Sequence, residues 1–248
     1  MDKYFDTVED PRRRWLIQAL GAGAVAGGSL GQAHAQGFSI FGSRPAKLPP
    51  TQSIYGLAGE VRVNNQQANL QTRIKPGDTV ETGKNSEVIF VVNTHSMILR
   101  GDSKLVIDGS DAAGAVGAVI SGLRMLTGKL LSVSRNSPMR VSTNTSTIGI
   151  RGTGFYVEAE PDLTYFCTCY GATDVQANND PDSKESIAAS RHDKPIYIAA
   201  DGAPGRKIRN APFLNHTDQE LSLIETLVGR RVPYVFGGSG YSAPRRTY

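Results

Sequence analysis

Between Gly56 and Gln176, apolar side chains fall at every second position in run after run, and the runs stop at glycine, proline or asparagine. A period of two belongs to an extended chain with one buried face; a helix needs apolar residues three and four apart. Glu60-Val61-Arg62-Val63 alternates and Asn64-Asn65-Gln66-Gln67 turns it. Lys75-Pro76-Gly77-Asp78 joins a fixed φ to a residue free to take positive φ, a strong turn signal. Residues 79–83, 87–92, 97–100 and 103–107 continue the pattern, with Asn93-Thr94-His95-Ser96 as a turn that leaves His95 in solvent. Strand signals resume at 123–126, 129–133, 139–143 and 154–158. Residues 108–122 differ: they are small and uncharged after Asp111, and read as a loop folded over its own core, with an apolar hairpin tip or partner surface as the alternative. Helical spacing is absent before residue 215, so the chain is expected to be all-β: a roll or sandwich of short antiparallel strands with one short C-terminal helix.

Residues 1–35 read as an address and not as fold. Arg12-Arg13-Arg14 precedes a weakly apolar, Gly/Ala-rich stretch, and Ala33-His34-Ala35 places small residues where a signal peptidase reads them. The paired arginines resemble a twin-arginine signal. The expected location is therefore the periplasm, reached through a cleaved signal peptide, with an uncleaved N-terminal anchor as the alternative. Residues 36–54, with Pro45, Pro49 and Pro50, read as a linker. Hydrophobic residues make up 39% of the 248, enough for a real core. The net charge of +4 comes without a dense Lys/Arg stripe. No nucleic-acid partner is expected on that ground, and membrane contact only at the periphery if at all.

Several motifs in order carry a family resemblance. Gly59-x-Val61 is followed by Ile74-x-Pro76-Gly77-Asp78-Thr79-Val80-x-Thr82-Gly83-x-x-Ser86 and an apolar strand. Later come Gly128-Lys129-Leu130, Val141-x-Thr143 and Ile148-Gly149-Ile150-Arg151-Gly152-Thr153-Gly154-Phe155-x-Val157. This resembles a FecR domain, spanning 55–177 here, and the resemblance implies a β-rich signalling or binding domain, not an enzyme. It also implies a Gly turn at Tyr170-Gly171 between two strands. Gly77 and Asp78, with Arg151, Gly152, Thr153 and Phe155, are its fold signature; Gly152 and Gly154 are expected to allow a sharp turn, and Arg151 to meet a carboxylate. Membrane-spanning members relay a transporter's state to a sigma factor. Only about fourteen residues precede the apolar stretch in this chain, so sigma-factor regulation is not expected; an envelope protein or glycan is.

The chemistry concentrates at Cys167 and Cys169, the only cysteines. On a strand, i and i+2 share a face with Cα atoms nearly 7 Å apart, against about 5.5–6 Å for a relaxed disulfide. Two thiolates so placed can bite one soft metal ion. His192 and His216 would complete a tetrahedral donor set for zinc or copper, with Asp193 or Asp218 orienting an imidazole from behind. A haem fits less well, since the Cys-x-x-Cys-His string is missing. A buried dithiol and a strained disulfide stay open.

Residues 178–236 read as an extension of the β domain with one strand and one helix. Thr217-Asp218-Gln219-Glu220 is a capping box, Leu221, Ile224, Leu227 and Val228 form an apolar stripe, and Gly229 and Pro233 end the helix. Residues 237–248 read as a disordered tail. Since no nucleophile elbow, metalloprotease or phosphate-loop motif occurs, the leading expectation is a non-catalytic binding or sensing module that holds a structural or sensory metal. A redox or metal-handling protein, or a disulfide-bearing scaffold, are the alternatives.

Overall fold

The computed structural model describes residues 45–111, 118–134 and 138–234. The export address at 1–35, most of the linker, the centre of the 108–122 stretch and the tail from 237 lie outside the described residues.

Fourteen strands run through one sheet. They are β1 (Ile54–Ala58), β2 (Val61–Val63), β3 (Gln66–Gln67), β4 (Thr79–Thr82), β5 (Glu87–Val92), β6 (His95–Leu99), β7 (Ser103–Asp111) and β8 (Ala118–Ser134), followed by β9 (Met139–Ser142), β10 (Ser146–Ala159), β11 (Leu163–Ala177), β12 (Lys184–Ala189), β13 (Ile196–Ala199) and β14 (Ile208–Asn210). One helix, α1 (Asp218–Leu227), closes the described chain. The strand order is β14-β13-β11-β10-β9-β8-β7-β4-β2-β3; β12 pairs β11, and β1, β5 and β6 form a branch that rejoins at β8. All pairings are antiparallel except β8 with β9.

The fold is all-β as expected, but its central strands are long. β8 has 17 residues, β10 has 14 and β11 has 15. Glycines that read as punctuation are instead bulges inside continuing strands. Gly152 and Gly171 take φ of +66° and +91°, and the β10–β11 register shifts between Arg151 and Gly154. A residue free to hold positive φ lets a ladder kink and resume. The expected turns at Gly152–Gly154 and Tyr170-Gly171 are therefore corrected; the hairpin turns at residues 160–162, where the Glu160 N–H meets the Leu163 carbonyl. Residues 108–111 and 118–122 are likewise paired hairpin arms, not a loop over the core. The left-handed turn at Asn93 is where expected, but His95 begins β6 and is buried at 2% exposure, which corrects its solvated placement.

Nearly every strand up to β13 sends side chains into one apolar core, so the sheet curls around it: Val80, Phe90, Leu105, Leu130, Val141, Phe155, Phe166 and Ile198 belong here. A second core lies on the opposite face. It joins Ile89, Ile98, Leu131, Val133, Tyr156, Tyr165, Cys167 and Cys169 to Leu221, Ile224 and Leu227 of α1. β5, β6, β8, β10 and β11 are thus buried on both faces, and read as near-continuous apolar runs. Each large side chain so buried contributes about 1.5–3 kcal/mol. Among the described residues no helix is long and apolar enough to cross a membrane.

Candidate metal centre

β11 supplies the sulfurs. Opposite Phe155 and Gly154 of β10 stand Thr168 and Tyr170, so Cys169 is the extra residue of a bulge. The bulge leaves Tyr165, Cys167, Cys169 and Tyr170 all in the second core. Both cysteines are fully buried and free.

β12 and β13 supply the first imidazole by interruption. β12 pairs with residues 171–176 of β11 and β13 with residues 163–166. The chain between them, 190–195, lifts off beside the cysteines. His192 sits there at φ +52°, and its N–H donates to the Cys169 carbonyl at 2.9 Å. Left-handed backbone at a bulky residue is uncommon, and here it aims the ring across β11. The second imidazole comes from the turn before α1, where Asn215 is also left-handed at φ +59°.

All four donor atoms lie within 4.8 Å of one another, and all four residues are buried. The Cys167 sulfur is 3.6 Å from His192 Nδ1, and His216 Nε2 is 3.1 Å from the same nitrogen. Bonds of about 2.0–2.1 Å to nitrogen and about 2.3 Å to sulfur, at tetrahedral angles, separate N from N by about 3.3 Å and N from S by about 3.6 Å. The two spacings therefore match neighbouring ligands of one ion.

The outer ring nitrogens are fixed as well. His216 Nδ1 donates to the Leu214 carbonyl at 2.6 Å, and His192 Nε2 donates to Asp218 Oδ1 at 3.0 Å. Carbonyls and carboxylates only accept, so each neutral ring keeps its lone pair on the inward nitrogen. Ring contacts hold the planes: Tyr156 stacks on His216 with centroids 4.5 Å apart, and Phe213 meets His192 at a tilt, 4.4 Å away, and His216 edge-on, 4.6 Å away. Asp218 also receives Arg191 and, at 2.6 Å, the Tyr234 hydroxyl. Asp193 does not reach an imidazole; its carboxylate takes the N–H groups of Ser190 and Arg191 and closes the turn, which corrects its expected role.

The electrostatics describe a strained proton balance. Burial pushes the Cys167 thiol up, but hydrogen bonds from Cys169, His192 and His216 outweigh it and hold it well below its ordinary value. Burial and the neighbouring Cys167 drive Cys169 well above. Burial lowers His216. It also works against His192, where the Asp218 hydrogen bond prevails and the net direction is up. Asp218 resists its own burial through His192, Tyr234 and Arg191, and is held at about 2. Protons alone leave one thiol neutral in a fully buried place, held by Cys167 through its sulfur and, at 3.8 Å, its carbonyl. A divalent ion would take both sulfurs as thiolates, balance their charge and accept both imidazole lone pairs.

Beside this centre, Arg100 donates to Tyr156 Oη at 3.0 Å, to the Asn215 carbonyl and to Glu220 Oε1 at 3.0 Å. Arg100, Arg191, Phe213 and Tyr234 escaped sequence reasoning. Arg100 and Glu220 lie 120 residues apart, and Tyr234 follows the end of the helix; neither carries a local signal. The fold-signature residues stay out of the centre. Arg151 pairs with Asp174 at 3.0 Å on the surface, Gly77 holds φ +94°, and Asp78 accepts from Lys75 N and Asn64 Nδ2. Thr153 is buried, and Phe155 stacks on Phe166 at 5.8 Å in the first core.

Residues 78–171 match the FecR protein family, a match that ends just past the two cysteines. Two crystal structures of a putative anti-sigma factor from Parabacteroides distasonis ATCC 8503 align at 14% identity and a TM-score of 0.41, covering 54% of this chain. The chain spans 58% of the length of that protein. No curated protein matches. These findings overturn the expectation about partners. It excluded sigma-factor regulation on the length of an N-terminal segment that lies outside the described residues. The FecR match places sigma-factor regulation back among the functions open to the chain, so an expectation limited to envelope proteins or glycans does not stand.

Proposed function

We propose that this chain, with its FecR match at 78–171, is a non-catalytic sensing and regulatory module that holds one transition-metal ion at Cys167, Cys169, His192 and His216. The observation that carries the metal is the convergence of four buried donors within 4.8 Å, with both outer imidazole nitrogens already occupied. Four protein ligands fill a tetrahedral shell and leave no position for substrate, which favours a structural or sensory ion over a catalytic one. Burial of every donor also disfavours a carrier that hands its ion on. The arginines at 12–14 and the Ala33-His34-Ala35 site support export to the periplasm. A haem is not supported, because Tyr156 and Phe213 pack directly against the imidazoles.

Elemental analysis of the full chain purified without a histidine tag tests this reading. The expected result is one equivalent of metal per chain, lost in Cys167→Ser. Full recovery of both thiols as free or disulfide sulfur, with no metal bound, would overturn it.

A further inference from the structure

We infer that the ion is Zn(II) and that it acts as a clasp, fastening the C-terminal extension to the FecR domain so that its removal undocks α1 while the β-sheet stays folded. This rests on the metal reading above and adds what the ion is and what it holds.

The donors divide by origin. Cys167 and Cys169 belong to the segment matching the FecR family, and His192 and His216 lie beyond its end at residue 171. One ion therefore joins β11 to two separate stretches of the extension. No disulfide can do so, because the chain has no cysteine besides this pair. Among the described residues beyond β14 no strand pairing secures the chain. Residues 211–234 hold on through α1, a helix of 10 residues, and through single tethers ahead of it: the Ala211 N–H on the Pro195 carbonyl, the Tyr165 hydroxyl between Pro212 and Leu214, and Asn215 on Glu158; an isolated helix of that length is marginal in water. What ties it down is the apolar stripe, the Arg100–Glu220 pair, Tyr170 on Glu225, and the contacts of Asp218. The last of these runs through the centre. Asp218 begins α1 and holds His192, while His216 stands two residues before it, so ion and helix start are one unit.

The donor chemistry selects zinc. Two thiolates and two imidazoles in a tetrahedron are the set structural zinc prefers, and both thiolate charges are met by a divalent cation in a buried place. Met97, Met125 and Met139 all belong to the first core, on the other face of the sheet, so none of the described methionines supplies the soft axial ligand that a copper electron-transfer centre uses.

Hydrogen exchange on the full chain, with and without zinc, is the test, paired with cobalt substitution. Co(II) should give the strong visible bands of a tetrahedral ion and a near-ultraviolet thiolate band. Chelation should raise exchange in 190–195 and 211–227 by about tenfold or more, while β5 and β7 stay protected. Cys169→Ser and His216→Gln should reproduce the chelated pattern. Asp218→Asn should keep the cobalt spectrum and weaken metal affinity about 10–100-fold, as expected of a positioning residue. Equal exchange in the two forms would overturn the clasp and leave the metal reading standing. Loss of protection throughout the sheet would overturn it too, since the ion would then support the whole fold. Weak octahedral cobalt bands would overturn the zinc assignment. Absence of any bound metal would instead sink the earlier reading.

Discussion

Two equally buried histidines have opposite circumstances. His216, 2% exposed, has both nitrogens engaged, one by the Leu214 carbonyl and one in the donor group. His95, also 2% exposed, leaves Nδ1 without a hydrogen-bond partner among the described residues. Burial, and then the positive charge of Arg230, lowers its pKa from 6.5 to about 4. The unfolded chain therefore binds a proton near pH 6.5 that the folded chain refuses until about pH 4. Stability is fully present above pH 6.5 and falls as pH drops through that window, by up to about 3 kcal/mol at its lower end. Denaturant unfolding at pH 7.5, 6 and 5 should show a steeper fall in the wild type than in His95→Asn, the difference being the part that His95 supplies. Parallel slopes would mean that His95 protonates equally well in both states. Nothing in Asn93-Thr94-His95-Ser96 reveals this, because burial of the turn's far side is set by the chain around Arg230, well over a hundred residues away.

Elements were legible in the sequence to the extent that their signals are local. The capping box at Thr217 is present in full: Glu220 N donates to Thr217 Oγ1 at 3.2 Å, and Thr217 N donates to Glu220 Oε2 at 2.9 Å. Helix α1 ends at Val228, followed by Gly229 at φ +77°, close to its expected end. The same glycine logic failed in the strands. Gly128, Gly152 and Gly171 look like stops, but they hold positive φ inside long ladders, the latter two at a bulge, and only cross-strand partners reveal that. The Cys-x-Cys face was legible because a strand's period is two; the bulge that keeps Tyr170 on that face was not. Removing the cap should loosen α1 alone. Thr217→Ala is expected to cost about 1 kcal/mol and Thr217→Ser far less, read as faster amide exchange over 218–227. Identical exchange in both variants would show that tertiary contacts, not the cap, hold the helix start.

Across the whole molecule, one sheet separates two cores of different kind. The inner core is closed by strands from β1 to β13, and none of the four candidate donors belongs to it. The outer core is completed by α1 lying on the sheet, and two of the four candidate donors, Cys167 and Cys169, belong to it. If the ion and the docked helix require each other, the coupling is reciprocal: whatever weakens docking must weaken zinc by the same factor. Leu227, 4% exposed, lies nine residues beyond Asp218, which at a rise of about 1.5 Å per residue is about 13 Å along the helix from the start that carries the site. Leu227→Ala removes outer-core packing worth about 2 kcal/mol without touching a ligand. Zinc affinity should then fall about thirtyfold, at about 1.4 kcal/mol per decade. Leu105→Ala, at a fully buried inner-core position, should cost about 2–5 kcal/mol in global unfolding and leave zinc affinity unchanged. Competition titration with a chromophoric chelator measures both affinities. Unaltered zinc binding in Leu227→Ala would mean that the extension stays docked without its ion, and that the two halves of the centre are pre-assembled by packing alone.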